Sequence, residues 1–543
     1  MASKIQQVSN YEPPVLETPP EPFSIQLLKE DFVTNELRSL DLTKSTGIDG
    51  IPSKLLRSSA LSISRHMTYI YNFTIVSGQI PTEWKTARVT PIFKEGDKTV
   101  TGNYRPISIL PVVMKVLERA IHTQLYTFLC DNNLLSASQS GFRKFHSTLT
   151  TLIDVTDHIQ EATDKGEGTG MLFLDLKKAF DTVDHDLLIA KLQKYGVGRS
   201  ALKWMKNYLS DRKQQVEINN VKSDWETVQT GVPQGSILGP LLFIIYINDL
   251  PKVVKHCKVT LYADDTVLYV SSKDPNDIKK CLENDLVYLK MWFDHNKLTL
   301  NTKKTKFMQF SSNQKKTNFA EVKVSLGNEE IQRVEVFKYL GIWFDETLSY
   351  KEHIFQICNK VNKRLGLFCR IRKNLTKDTA LMLYKSIVLP HLEYCDTVWD
   401  TCAGYLKDTV QKLQNRACKI ILKRDRLAHT NDIHRELKLW KLHERRKFHC
   451  ACLTFRCKNE LVPSYLSNIY LPISDIHQHS TRYATGQNLF IVGSSTESGK
   501  SMFKHRSVIL WNSLPAHLKN CHSLPSFKRA YISWKNQNTF HLT

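Results

Sequence analysis

The sequence has no stretch that is both apolar and long enough to cross a bilayer. Its longest apolar run, Ile237 to Ile247, is interrupted by Gly239 and Pro240 and stops at Asn248-Asp249, short of the roughly 20 residues a spanning helix needs. The N-terminus lacks the basic, apolar, small-residue order of a secretory signal, and no lipidation box is present. The 12 cysteines form no CxxC pair, and the closest group, Cys450, Cys452 and Cys457, lacks zinc-knuckle spacing. These absences argue against a membrane anchor and a disulfide scaffold, and predict reduced, mostly buried thiols in an intracellular protein. Internal repeats are lacking too, and acidic residues are scarce in one part of the chain. From Glu346 to Thr543 there are 32 Lys and Arg against 14 Asp and Glu, so +18 of the net charge of +22 lies there. A basic region beside a nearly balanced one suggests that the former holds a polyanion while the latter acts on it.

What is present is a folded chain: 41% of its 543 residues are hydrophobic, enough for about two to four compact units. Residues 1–22 contain five prolines and no periodicity, which predicts a flexible leader. Apolar spacing predicts helices over 24–40, from 52 or 53, over 112–129, 148–162, 185–195, 199–209, 275–296, and repeatedly from 349 to 457. Alternation predicts a strand over 84–93 and a hairpin through 214–218 and 227–230. Residues 298–301 and 305–310 are expected to pair as strands, 336–344 to form another hairpin element, and 493–499 to be a loop. Arg105 precedes Pro106 and is therefore expected to be extended.

Three stretches carry chemistry. Gly170 to Leu174 reads as a buried strand that delivers Asp175 at its end, where a helix cap would be the bland explanation. Gly231-Val232-Pro233-Gln234-Gly235-Ser236 is a loop opening a helix, with glycines that permit close backbone approach. Val259 to Val270 reads as a hairpin whose turn holds Asp264 and Asp265. Adjacent carboxylates repel and call for a compensating cation, and an oxygen-rich anionic corner suits Mg²⁺; a solvated loop is the alternative.

Taken in order, Phe173 to Asp181, Gly231 to Ser236 and Tyr262-Ala263-Asp264-Asp265 resemble motifs A, B and C of reverse transcriptases, and their wording is similar to LINE-type, non-LTR retrotransposons of the jockey and chicken-repeat kind. Gly47 to Gly50, Tyr104 to Ser108, Gln139 to Arg143, Asn248 to Pro251 and Phe337 to Gly341 add to the resemblance over residues 25–350, and Trp511 to Pro515 is similar to the tail of such elements. The resemblance implies an α+β right-hand polymerase fold, with fingers, a palm of antiparallel sheet and helices, a helical thumb and a mainly helical basic C-terminal region. Its expected boundaries are a leader at 1–22, fingers at 23–170, palm at 171–345 with an interleaved fingers segment at about 191–229, thumb at 346–460 and tail at 461–543.

The implied activity is RNA-directed DNA polymerisation, adding dNTPs to a primer 3′-hydroxyl on an RNA template. Two Mg²⁺ ions, replaceable by Mn²⁺, would be held by Asp175, Asp264, Asp265 and the Leu176 carbonyl. Lys94 and Arg105 match triphosphate-holding residues. Phe180 matches the steric gate against a 2′-hydroxyl, a core aromatic being the alternative, and Gln234 with Gly235 matches the loop beside the nascent base pair. Lys304 fits the lysine proposed to protonate pyrophosphate, with Lys303 the other register. Lys338, Tyr339, Leu340 and Gly341 resemble the primer grip. Expected partners are RNA template, DNA primer or target, and dNTPs, with no membrane, in a cytoplasmic ribonucleoprotein and the nucleus. Elements of this kind carry an endonuclease before the polymerase, and only about 22 residues precede the first fingers helix here. The resemblance therefore implies a separate nicking enzyme, a truncated copy or an incomplete gene model. The competing readings are a catalytically dead RNA-binding remnant and an intron-maturase-like RNA cofactor.

Overall fold

The computed structural model describes residues 13–14, 19–319, 322–425, 427–473 and 487–540. Most of the leader expected at 1–22 lies outside them. In chain order the elements used below are α1 (Glu30–Arg38), α2 (Ala60–Ser77), β1 (Thr86–Phe93), β2 (Tyr104–Ile109), α3 (Val112–Asp131), α4 (Thr148–Asp164), β3 (Gly168–Leu174), α5 (Arg199–Leu209), β4 (Arg212–Ile218), α6 (Leu238–Tyr246), β5 (Lys258–Tyr262), β6 (Asp265–Ser272), α7 (Pro275–His295), β7 (Lys306–Phe310), β8 (Val336–Tyr339), β9 (Ile342–Asp345), α8 (Lys351–Ile371), α9 (Gly404–Leu422), α10 (Leu442–Lys458) and α11 (Phe503–Asn512). The fold is mixed helix and sheet, as a polymerase palm requires. No helix among the described residues is long and apolar enough to cross a membrane.

Two compact units emerge, each assembled from separated segments. The first comprises Met1–Phe142, Phe173–Val267 and Asn284–Thr305; the second comprises Arg143–Leu172, Leu268–Glu283 and Lys306–Thr543.

In the first unit, β2, β1 and β4 form a sheet in that order. β1 is antiparallel to β2 and parallel to β4. α6 is apolar on every face and buried at every position but Pro240, so it forms the centre of the core. α1 is shorter than the helix expected over 24–40. The reason is that Asn72 on α2 offers its amide to the backbone of Leu28, accepting from its N–H at 2.7 Å and donating to its carbonyl at 3.0 Å. That pairing holds the chain extended ahead of the helix. The two strands expected to pair at 298–301 and 305–310 do not pair with each other. Leu300 bridges Leu176 instead, because residues 301–305 wind into a helical turn, Lys304 and Thr305 N–H both donating to the Asn301 carbonyl, and a turn of that hand cannot return the chain alongside itself.

β5, β6, β3 and β7 make a four-stranded sheet in that order. β3 is buried throughout, the mark of a strand covered on both faces.

The second unit is predominantly helical beyond the β8–β9 hairpin. Its C-terminal segment is fastened to α4 by that helix's carboxylates. Asp157 accepts the backbone N–H groups of Phe503 and Lys504 at 2.6 and 3.0 Å, and Asp164 accepts Thr496 N–H at 2.7 Å. The loop expected at 493–499 gives way at Glu497 to a short helix capped by the Thr496 hydroxyl. The Trp511 to Pro515 motif has a structural explanation. Trp511 is buried, and the Asn512 amide pairs with both the N–H and the carbonyl of Leu489 at 2.9 Å, as a strand would. All 12 cysteines are free, six of them buried.

Candidate active site

Asp175 follows the last residue of β3, and its placement depends on Asn301. The Asn301 side chain donates to Asp175 Oδ2 at 2.9 Å while its backbone N–H donates to the Asp175 carbonyl at 2.7 Å. Lys177 N–H donates to the Thr299 carbonyl at 2.9 Å, so the Leu176–Leu300 bridge leaves the Leu176 carbonyl out of both of its hydrogen bonds.

Asp264 and Asp265 sit at the tight turn between β5 and β6. Ala263, at φ +55°, takes the left-handed conformation that such a turn demands. A strap from residues 138–141 holds this turn from behind. Ser140 N–H donates to the Leu261 carbonyl and Leu261 N–H to the Ser138 carbonyl, both at 2.8 Å. The single oxygen Gln139 Oε1 accepts Gly141 N–H at 2.7 Å and Ala263 N–H at 3.0 Å. Gly141 approaches so closely that a Cβ there would lie 2.3 Å from Ala263 N.

The electrostatics show that the carboxylates are neighbours. Asp264 and Asp265 are open to solvent, yet the recess they occupy strips away enough water to raise both above the usual carboxylate range. For Asp265, pushed up to about 6, burial leads, followed by repulsion from Asp264 and Asp175. Lys94 and Arg105 oppose the shift in both groups. They sit at the far end of the β1–β2 hairpin, where Arg105 is opposite Ile92 and Lys94 N–H donates to the Asn103 carbonyl at 2.9 Å. Arg105 is extended, as its proline neighbour predicts.

Among the described residues, no three His, Cys, Asp or Glu side chains converge as a ready-made coordination sphere. The donor chemistry nonetheless suits a hard cation: these are all-oxygen ligands whose mutual repulsion a divalent ion would relieve.

Phe180 packs flat on Phe243, with centroids 4.2 Å apart, and edge-on to Phe142 at 6.2 Å. Gln234 donates from Nε2 to Asp181 Oδ1 at 2.8 Å, and its carbonyl accepts Ser108 N–H at 2.7 Å. Burial raises the Asp181 carboxyl, and the Gln234 bond counteracts part of that. Gly235, at φ +121°, passes the Ser108 carbonyl so closely that a Cβ would lie 2.5 Å from it. Two further bonds, Gly231 N–H to Val183 O and Val232 N–H to Phe180 O, join this loop to the segment after Asp175. A cavity of about 380 Å³ opens beside Gln234, lined among others by Asp181, Lys178 and Lys213. Lys303 and Lys304 are exposed on the turn after Asn301.

Lys338, Tyr339, Leu340 and Gly341 belong to the second unit. There Leu340 and Gly341 take left-handed conformations at the β8–β9 turn, and Tyr394 donates its hydroxyl to the Leu340 carbonyl at 2.8 Å.

Sequence reasoning assigned no role to Asn301, Asp181 or Glu118. Glu118 is fully buried on α3, where it accepts the Tyr208 hydroxyl at 2.6 Å and Ile237 N–H at 2.7 Å at the start of α6. Its only signal was an acid at helical spacing from the buried Met114, Ile121 and Leu125.

Comparison with known proteins follows the same outline. The family described as reverse transcriptase (RNA-dependent DNA polymerase) matches residues 92–344. The chain is similar to a probable RNA-directed DNA polymerase from transposon BS of Drosophila melanogaster, 30% identical over 454 residues, covering 80% of this chain and 49% of that protein. It is also similar to the RNA-directed DNA polymerase from the mobile element jockey of the same species, 30% identical over 436 residues, 78% of this chain and 46% of that protein. A Pol polyprotein from the type-1 retrotransposable element R2 of Popillia japonica is 24% identical over 338 residues, 59% of this chain and 45% of that protein. The chain thus spans about half the length of the curated relatives it matches.

Proposed function

With residues 92–344 belonging to the reverse transcriptase family, we propose that this chain is the RNA-directed DNA polymerase of a non-LTR retrotransposon, extending a DNA primer with dNTPs on an RNA template. The observation that carries the reading is the grouping in one unit of Asp175, Asp264 and Asp265, with the charge of Asp175 raising both Asp264 and Asp265 and Lys94 and Arg105 opposing that rise.

Each residue's part follows from its chemistry. Lys94 and Arg105 bind the triphosphate of the incoming nucleotide, Arg105 through a planar fork and Lys94 as a point charge. Asp175, Asp264, Asp265 and the Leu176 carbonyl would hold two Mg²⁺ ions, with Mn²⁺ able to substitute. Such ions, when bound, neutralise charge at the attacking and leaving oxygens of a phosphoryl transfer. Asn301 orients Asp175, and the 138–141 strap orients Asp264 and Asp265. Phe180, seated on Phe243, presents a ring that excludes a 2′-hydroxyl. Gln234 and Gly235, fixed by Asp181 and Ser108, bound the space for the nascent base pair. Lys304 supplies a proton to the leaving pyrophosphate, and Lys338 to Gly341 position the primer end. We propose a cytoplasmic ribonucleoprotein and the nucleus as the sites of the reaction.

The test is primer extension on poly-rA with oligo-dT. Asp264→Asn is expected to abolish incorporation while RNA binding persists; equal rates in wild type and variant would refute the assignment. A wild type that binds RNA in a salt-dependent way but incorporates nothing with Mg²⁺ or Mn²⁺ would be a non-catalytic remnant.

A further inference from the structure

The turn between β8 and β9 is built against the preference of its own residues. It is a two-residue connection closed by the Tyr339–Ile342 pair, and both of its residues are left-handed, Leu340 at φ +43° and Gly341 at φ +86°. Glycine, asparagine and aspartate suit such positions. Leucine is strained there, and a strained residue persists only where its surroundings over-determine it.

Those surroundings form a closed circuit within the second unit. Tyr394 donates its hydroxyl to the Leu340 carbonyl at 2.8 Å, and its ring lies so near Gly341 that a Cβ there would come within 2.9 Å of it. The Tyr394 oxygen is itself 3.1 Å from the Thr148 hydroxyl, which can donate to it. The backbone carbonyl of Tyr394 accepts the indole N–H of the buried Trp399 at 3.0 Å. The Trp399 ring packs on His353, in the first turn of α8, with centroids 6.1 Å apart. His353 closes the circuit on the hairpin, its Nδ1 accepting Trp343 N–H at 3.5 Å. Trp343 is opposite Lys338, one step beyond the closing pair, where a strand N–H points out of the ladder and needs an acceptor elsewhere.

Two details argue against a packing role alone. Tyr394 is 42% exposed, so water could satisfy its hydroxyl as well as Leu340 does. His353 is 4% exposed, yet its Nε2 has no hydrogen-bond partner among the described residues. An apolar side chain would fill that space without leaving a buried polar atom unpaired. What the imidazole adds is the Nδ1 acceptor, which is available because burial, aided by Lys360, pushes the ring down to about 4 and keeps it neutral.

We propose that Tyr394 and His353 are positioning residues for nucleotide addition, holding the Leu340-Gly341 turn from two sides so that it presents the primer end in one place. The inference rests on the reading of Lys338 to Gly341 as the segment that positions the primer.

The test is single-turnover extension of a primer on an RNA template by the full chain, with the rate of the burst separated from its amplitude. Tyr394→Phe keeps the ring over Gly341 and removes only the hydroxyl. Its rate is expected to fall about tenfold, a part of the roughly 100-fold that a 1 Å misplacement costs, with amplitude, template-primer Kd and dNTP KM within about twofold of wild type. His353→Leu should lose a comparable factor, and His353→Asn, whose Oδ1 can stand in for Nδ1, should regain most of it. A damaged fold would instead shrink the amplitude and leave the rate of the surviving enzyme unchanged. Gly341→Ala, whose Cβ would meet the Tyr394 ring, probes the turn itself. A slower burst in Gly341→Ala with normal rates in Tyr394→Phe and His353→Leu would overturn the proposal and leave the primer-positioning turn standing. Normal rates in all three would overturn both. Lost amplitude at constant rate, or an equal loss in His353→Leu and His353→Asn, would also overturn it. A wild type with no burst at all would overturn the polymerase reading, and the proposal with it.

Discussion

Replacing Gly141 with alanine adds one methyl group, and the structure fixes where it goes. The new Cβ would lie 2.3 Å from Ala263 N, 2.9 Å from Ala263 Cα and 3.0 Å from Ala263 Cβ. Ordinary contact would require the two backbones to part by roughly 1 Å, since atoms this close repel steeply. Neither can move freely, because Gln139 Oε1 holds both N–H groups and the Ser138–Ser140 strap is paired to Leu261 on either side. The displaced turn is the one carrying Asp264 and Asp265. Overpacking of this kind costs about 1–3 kcal/mol of stability, small enough for the chain to remain folded, whereas a 1 Å misplacement of reacting groups costs on the order of 100-fold in rate. The expected result is therefore a fall of about 100-fold in kcat for primer extension with a modest drop in Tm. Gly366→Ala in α8, where a Cβ meets nothing within 4 Å, should leave kcat unchanged and stabilise the helix slightly. A Gly141→Ala enzyme with kcat within threefold of wild type would refute the strap's role in holding the turn.

Phe180→Val shortens the ring resting on Phe243, so ribonucleotide incorporation measured against dNTPs should rise by at least tenfold; unchanged discrimination would return Phe180 to the core. Asp157 is buried with its carboxyl pushed up to about 6 from 3.8. The folded state therefore keeps a proton that the unfolded chain releases, and the stability due to this group is present below pH 4 and lost as pH rises to about 6, by about 3 kcal/mol at most. Thermal unfolding should show Asp157→Asn gaining on wild type across that window, and parallel curves would contradict the assignment. Lys191 donates to Asp249 at 2.7 Å and to the Tyr246 carbonyl at 2.6 Å, with both side chains buried. Lys191→Met strands Asp249 and should cost about 3–5 kcal/mol in urea unfolding, most of it recovered by adding Asp249→Leu; a cost below 1 kcal/mol would show that the pair is not load-sharing.

Elements with strong periodicity were legible in the sequence almost to the residue. Arg199–Leu209 begins and ends where the apolar spacing does, and β5 and β6 flank their turn as the β-branched and aromatic runs on either side of Asp264-Asp265 predict. The failures share a cause. Residues 298–301 have the composition of a strand, but a strand needs an edge, and the edge available to Leu300 is Leu176. Composition reports that a segment can pair and is silent on its partner. The segment 24–29 has helical spacing, and Asn72, more than 40 residues away, draws it straight.

The same division runs through the candidate site. By itself the sequence named the residues proposed to carry the chemistry, three carboxylates, the cations Lys94 and Arg105, an aromatic and a glycine-rich loop, because reactive groups must be of particular types in a particular order whatever surrounds them. It also determined that the basic charge is concentrated after residue 346. Only the tertiary structure decided what holds those residues in place. Asn301 on Asp175, Gln139 and Gly141 behind the Asp264-Asp265 turn, Asp181 on Gln234 and Glu118 at the start of α6 are single polar residues or glycines with no periodic signature. Their roles arise from distance in space, and a hydrogen bond of 2.7 Å between residues 119 positions apart is specified by the packing of whole elements, which no local pattern encodes.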